Sequence, residues 1–214
     1  MKILLHICCA PCSIFPIKRL KESRMEVVGY FYNPNIHPYQ EYKRRRDAVQ
    51  GYVDLVQLPV MYRDEYNLEE FLQNVVFREQ ERCHYCYHSR LESAARAAAQ
   101  EHIPQFTSTL LYSRHQNHQL IKEMGESLAK HHGLKFYYED FRKGWNDGIE
   151  TSKKLSIYRQ QYCGCIYSEK ERYIKAGKLL PNNEPLPPKA VLVQPGEKQR
   201  HREGRRKRGH RSGM

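Results

Sequence analysis

Short apolar runs and longer stretches of helical periodicity alternate along residues 1–177. Residues 3–7 are apolar except for His6 and read as a short buried strand, and residues 26–32 read as a second. Between them, residues 13–24 carry a helical pattern with Ser13 as N-cap and Pro16 in the first turn. The dense turn signal Asn33-Pro34-Asn35-Ile36-His37-Pro38 follows, and then a helix with a basic face over 39–50 and a strand over 53–58. Helices are predicted over 67–77, 84–101, 116–132 (closed by Gly133), 146–158 and 166–176, with strands over 105–111 and 134–138.

Strands separated by helices of this length predict repeated βαβ units, an α/β fold with a parallel sheet covered on both faces. In such sheets the ligand crevice lies beyond the carboxyl ends of the strands. The first strand runs straight into Cys8-Cys9-Ala10-Pro11-Cys12, where a nucleotide-binding fold carries its phosphate loop, yet the glycines of that loop are missing. The crevice is therefore expected to be built around thiolates.

Composition adds a second feature. Residues 189–214 hold nine Lys/Arg and two Asp/Glu, a net +7 of the chain's +12, after four prolines between 181 and 188. Residues 178–214 thus read as an extended, disordered basic tail attached to a mildly basic domain over 1–177. Positive charge of this kind favours a polyanion partner, nucleic acid ahead of a membrane surface. No window approaches a transmembrane span, and the N-terminal run is too short and too interrupted for a signal peptide. The expected compartment is the cytoplasm, where clustered cysteines mean metal or redox chemistry rather than structural disulfides.

All seven cysteines fall into three clusters: Cys8, Cys9 and Cys12; Cys83 and Cys86; Cys163 and Cys165. Cys83-His84-Tyr85-Cys86 has the spacing of a zinc knuckle, but one tetrahedral zinc cannot use seven thiols. A four-iron cluster takes four thiolates and leaves three for another metal or a dithiol. Vicinal Cys8 and Cys9 point apart on extended backbone, so they are expected to face different sites. Spacing alone does not assign ligands to metals.

The motifs LLHICCAPCS, YNPNIHPYQEYKRR, CHYCYHSRL and EDFRKGWNDGIETSKKLSIYRQQYCGCIYS, in this order over residues 1–177, resemble those of the QueH-type epoxyqueuosine reductases. The resemblance implies an α/β fold related to the nucleotide-binding HUP class. It also implies a cobalamin-independent oxidoreductase that removes the epoxide oxygen of epoxyqueuosine at the tRNA wobble position. A 4Fe-4S cluster and a nearby second, mononuclear iron held by cysteines and an aspartate come with it. On that basis Cys9, Cys83, Cys86 and Cys165 are expected to hold the cluster, and Cys8, Cys12 and Asp140 the second iron. Cys163 stands as a further metal-site thiol, with a redox disulfide to Cys165 left open.

Asp140 follows a predicted strand, which puts it on the crevice rim; by itself it reads equally well as a cap or loop carboxylate. His37, after another strand end, is a candidate proton donor to the leaving oxygen. Asn33, Asn35, Tyr42, Arg44, Arg45, Arg114, Gln116, Arg142, Lys143 and Arg159 are candidate contacts to the anticodon stem-loop, as basic and aromatic groups suited to phosphates and unpaired bases. The electron donor is unspecified. Two rival readings share these features: a cluster-containing tRNA sulfurtransferase, which would need an ATP-binding loop absent here, and a zinc-stabilised RNA-binding module without catalysis.

Overall fold

A computed structural model describes residues 1–174. Five strands form one sheet: β1 (Lys2–His6), β2 (Glu26–Phe31), β3 (Val60–Tyr62), β4 (Gln105–Ser108) and β5 (Lys135–Phe136). Their order is β3-β2-β1-β4-β5, and every pairing is parallel. Central β1 pairs Leu4, Leu5 and His6 with Phe106, Thr107 and Ser108 on one side and with Val28, Gly29 and Tyr30 on the other. Covered on both faces, Ile3, Leu4, Leu5 and Ile7 have no exposed surface, each burial contributing about 1.5–3 kcal/mol. The α/β expectation holds.

The helices are α1 (Ala10–Glu22), α2 (Tyr39–Leu55), α3 (Leu68–Val75), α4 (Arg82–Gln100), α5 (His118–His131), α6 (Trp145–Lys154) and α7 (Ile166–Tyr173). Helices α1 and α2 contact each other, and α4 contacts α5. Right-handed crossovers in this strand order put those two pairs on opposite faces. No helix among the described residues is long and apolar enough to cross a membrane.

Several boundaries differ from the sequence expectation. Residues 53–55, expected in a strand, close α2 instead, because Val49, Tyr52 and Val53 share one buried helical face. Pro59 favours extended backbone before it, and the strand starts one residue later at Val60. Helix α1 starts at Ala10, with Cys9 as its N-cap. Ser13 therefore lies inside the first turn and donates to the Ala10 carbonyl at 2.8 Å, while Pro16 sits in the helix interior. β4 stops at Ser108, whose hydroxyl accepts from the Leu110 amide and starts a 3-10 turn over Thr109–Tyr112. The expected division at residue 177, the last residues of the helix predicted to reach 176, and the basic tail lie outside the described residues.

Candidate metal centre

Because all five strands run the same way, their carboxyl ends share one edge of the sheet. Two successive connections leave β1 and β4 in opposite directions across the sheet, so the crevice opens between these two strands. Cys8 follows β1 and Thr109 follows β4, and they meet there. The Cys8 amide donates to the Thr109 hydroxyl at 3.0 Å, and that hydroxyl donates to Cys8 Sγ at 3.2 Å.

Extended backbone at Cys9 turns into the first residues of α1 at once, which folds Cys12 back over the pair. The sulfurs of Cys8, Cys9 and Cys12 all lie within 4.8 Å of one another. The expectation that vicinal Cys8 and Cys9 face different sites is not what the geometry gives: their sulfurs are 3.8 Å apart. The helix start between Cys9 and Cys12 rotates the second thiol back toward the first. Gln160 crosses the triad from the far end of the chain, its amide nitrogen 2.9 Å from Cys9 Sγ and 3.4 Å from Cys12 Sγ.

Electrostatics within the triad are asymmetric. Hydrogen bonds from the Cys12 and Cys9 thiols hold the Cys8 thiol well below its ordinary range, and Thr109 adds to this. Burial pushes Cys9 up, and the hydrogen bond that Cys12 gives to Cys8 pushes Cys12 up. One thiolate is thus solvated by two neighbouring thiols. A metal ion bound by such a group displaces those protons and replaces the missing solvation with its own charge. The three donors fit a thiophilic metal.

The other four thiols come from two further segments. Cys83 and Cys86 lie in the first turns of α4, and Cys163 and Cys165 in the loop that enters α7, with Cys165 as its N-cap. Cys86 is buried, and its thiol is pushed up to about 12 by that burial, with the other three cysteines of the set adding to the shift. Cys83 is raised for the same first reason, again with Cys163 and Cys165 contributing. Cys163 and Cys165 thus act from a distant segment on both thiols of α4, which makes the four a candidate donor set. Gln116 donates to Cys163 Sγ at 3.1 Å and accepts from the Tyr87 hydroxyl at 2.6 Å, which ties α4 to the loop.

That loop is fixed by a buried clamp. Arg45, 2% exposed, pairs with Glu41 at 2.7 Å and donates to the carbonyls of Cys163 at 2.8 Å and Tyr162 at 3.0 Å. Its guanidinium also lies over the Tyr162 ring, and the Tyr158 hydroxyl donates to Glu41. Gly164 is packed so closely that a Cβ there would stand 3.0 Å from Asn35 Nδ2 and 3.4 Å from Arg45 Nη1. The His37 amide donates to the Gly164 carbonyl at 2.8 Å. An unbranched backbone is needed at this point of the loop.

Several expected RNA contacts turn out to be internal. Arg45 is spent on the clamp, Tyr42 is buried and donates to Asp64 at 2.7 Å, and Asn33 donates to the Ile7 carbonyl at 2.9 Å. Asn35 is 2% exposed. The basic face predicted for α2 is real only at Lys43, Arg44 and Arg46, since Arg45 points inward. Arg44, Arg114, Lys143 and Arg159 are exposed, and Arg114 lies over the Trp145 ring at 5.1 Å.

His37 is 1% exposed, its ring packed on Phe71 and Tyr66, and neither ring nitrogen has a hydrogen-bond partner among the described residues. Burial lowers its pKa to about 4. A sealed, neutral imidazole is a poor proton donor, so the sequence expectation for it is not supported by its position. Asp140 forms a two-point pair with Arg142 at 2.6 and 2.8 Å and caps the turn it precedes. Arg142 holds its carboxyl down at about 2. It is not a member of the Cys8–Cys9–Cys12 group.

Thr109, Gln160 and Arg90 are not among the metal-site residues that the sequence nominates. Arg90 stands four residues after Cys86 on a helix, the spacing at which side chains meet, and Arg90 and Gln160 both lie inside the quoted motifs, so each carried a signal. Thr109 carried none, because only the tertiary fold brings it to Cys8.

The family model described as epoxyqueuosine reductase QueH matches residues 3–171. A Dehalococcoides mccartyi protein named epoxyqueuosine reductase QueH is 40% identical over 174 residues, covering 81% of this chain and 96% of its own. Relatives of the same name from Thermotoga maritima (35% over 187 residues, 83% and 95%) and Streptococcus pyogenes (34% over 180 residues, 78% and 70%) match as well. All seven thiols lie within the matched span, so the two sulfur groups belong to the part of the chain the family defines. This chain belongs to the epoxyqueuosine reductase QueH family.

Proposed function

We propose that the chain is a cobalamin-independent oxidoreductase that converts epoxyqueuosine to queuosine at the wobble position of tRNA, and thus works in the cytoplasm. The observation that carries this is the triad of Cys8, Cys9 and Cys12 beyond the carboxyl end of β1, in a member of this family whose matched span holds all seven thiols. Opening the epoxide to an alkene consumes two electrons and two protons and releases the oxygen as water. A separate electron donor must therefore renew the protein after each turnover.

The donor sets fit the metals that the resemblance implies. Cys83, Cys86, Cys163 and Cys165 match the thiolate count of a four-iron cluster. Cys8, Cys9 and Cys12, with sulfurs within 4.8 Å of one another, would suit a second iron, which moves Cys9 from the expected cluster set to this one and leaves Asp140 outside it. Bound there, such metals supply electrons singly and a Lewis-acid position for the epoxide oxygen. The chain's own residues do the rest: Thr109 orients Cys8, Gln160 spans Cys9 and Cys12, Gln116 and the Arg45 clamp fix the Cys163–Cys165 loop. Exposed Arg44, Arg114, Lys143 and Arg159 offer charge to the anticodon stem-loop, where phosphate contacts position the RNA and an everted base carries specificity.

The test is anaerobic purification followed by iron and sulfide analysis and a single-turnover assay. The expected result is a brown protein that, given a chemical reductant, removes one oxygen from epoxyqueuosine tRNA as read by nucleoside mass. A colourless protein that holds zinc alone after iron reconstitution overturns it in favour of a zinc-stabilised RNA-binding module.

A further inference from the structure

We propose that Arg90 is a positioning residue for the metal centre, a fixed buried cation in contact with Cys86 that sets the reduction potential of the iron those thiols hold. The inference rests on the metal reading given above and goes beyond it by naming what tunes the metal.

Arg90 lies on α4 with 3% of its surface exposed. Its Nε donates to the Cys86 carbonyl at 2.9 Å and its Nη2 to Cys86 Sγ at 3.0 Å. The guanidinium thus grips both ends of one cysteine, fixing the thiol's rotamer as well as its charge environment. The other buried arginine among the described residues, Arg45, has the Glu41 carboxylate beside it. Arg90 has none: among the described residues no carboxylate pairs with it, and its hydrogen bonds go to Cys86 alone. A buried cation without a counter-anion is strongly disfavoured, so its place in the fold makes sense only beside sulfur that carries negative charge.

In a low-dielectric interior a fixed positive charge favours the reduced, more negative state of a nearby metal–thiolate centre. A hydrogen bond to a ligating sulfur works in the same direction.

The experiment compares Arg90→Met and Arg90→Gln, which remove the charge at similar volume, with Arg90→Lys, which keeps it. Each full-length chain is reconstituted anaerobically with iron and sulfide, its bound iron is measured, and its midpoint potential is read from visible absorbance during a dye-mediated reductive titration. The neutral variants are expected to hold wild-type iron with a more negative midpoint. The oxidised-to-reduced ratio at fixed potential should change roughly tenfold, ~59 mV for a one-electron couple. Arg90→Lys is expected to restore most of that shift. An unchanged midpoint in an iron-loaded neutral variant overturns the proposal, as does an equal shift in Arg90→Lys. If both neutral variants fail to fold while Arg90→Lys folds and loads iron at the wild-type potential, Arg90 is a structural cation and the proposal also falls. A wild-type chain that takes up no iron removes the metal reading itself, and this inference with it.

Discussion

Thr109 holds Cys8 twice, its hydroxyl accepting from the Cys8 amide at 3.0 Å and donating to the Cys8 sulfur at 3.2 Å. One side chain thereby joins the ends of the two strands that flank the crevice and aims the first thiol of the triad. Thr109→Val keeps the shape and removes both bonds, leaving the Cys8 amide without its partner. The expected loss is about 1–3 kcal/mol in urea unfolding, with weaker iron retention under chelator. Thr109→Ser should restore both.

The clamp at Arg45 makes a second prediction. Arg45→Met leaves Glu41 buried with only Tyr158 to satisfy it, and breaking a buried pair in this way costs about 3–5 kcal/mol. The double variant Glu41→Gln/Arg45→Met should recover part of that loss. Urea unfolding of the three chains measures it, and equal stability of the single and double variants would show that the pair is not what matters.

Acid sensitivity follows from the sealed imidazole of His37. Its folded pKa of about 4 lies below the ordinary value of 6.5, so between those values the unfolded chain binds the extra proton. Stability should fall as pH drops through 6.5 and continue to fall to about 4, at up to ~1.4 kcal/mol per pH unit for this group. Buried His6, also near 4, adds a loss of the same sign. His37→Phe, which suits the ring of Phe71 and Tyr66, should flatten the slope and leave turnover within about twofold. A loss of two orders of magnitude in turnover would return His37 to the catalytic machinery.

Asp140 is the residue on which sequence and structure part most clearly. Its carboxylate is engaged with Arg142, so Asp140→Asn is expected to keep the full iron content and to cost little more than the ion pair, which is partly solvated. Loss of one iron per chain with the remaining absorbance intact would instead make it a ligand.

The basic residues 189–214 are expected to act on tRNA through charge. Truncation after residue 188 should weaken binding at low salt and reduce the slope of log affinity against log salt by about 0.7–0.9 per lost phosphate contact. Identical slopes for the full and truncated chains would assign RNA binding to the domain alone.

The sheet was legible in the sequence because its strands are buried on both faces and read as apolar runs between helices of clear period. Residues 53–58 misled, since Val53, Leu55 and Val56 serve a helix end as well as a strand. The thiols were legible as a group, and so was the place of the first three after β1. Their partition was not. It depends on α1 starting at Ala10 rather than at Ser13, which brings Cys12 beside Cys8 and Cys9. The inward turn of Arg45 was equally hidden: within YKRRRD nothing distinguishes one arginine from its neighbours until the loop of Cys163 docks on it.

That docking has a consequence for how the protein is made. The triad at Cys8, Cys9 and Cys12 is encoded within the first dozen residues, but the other set waits for Cys163 and Cys165, near the end of the described chain. Pinning that late loop requires Arg45 and the segment after β2, both translated long before. A chain cut short before the loop would keep its sheet and three thiols and yet lack half of the second sulfur group. Assembly of the four-thiol set therefore reports that the Cys163–Cys165 loop has been made and has docked on Arg45 and on the segment after β2.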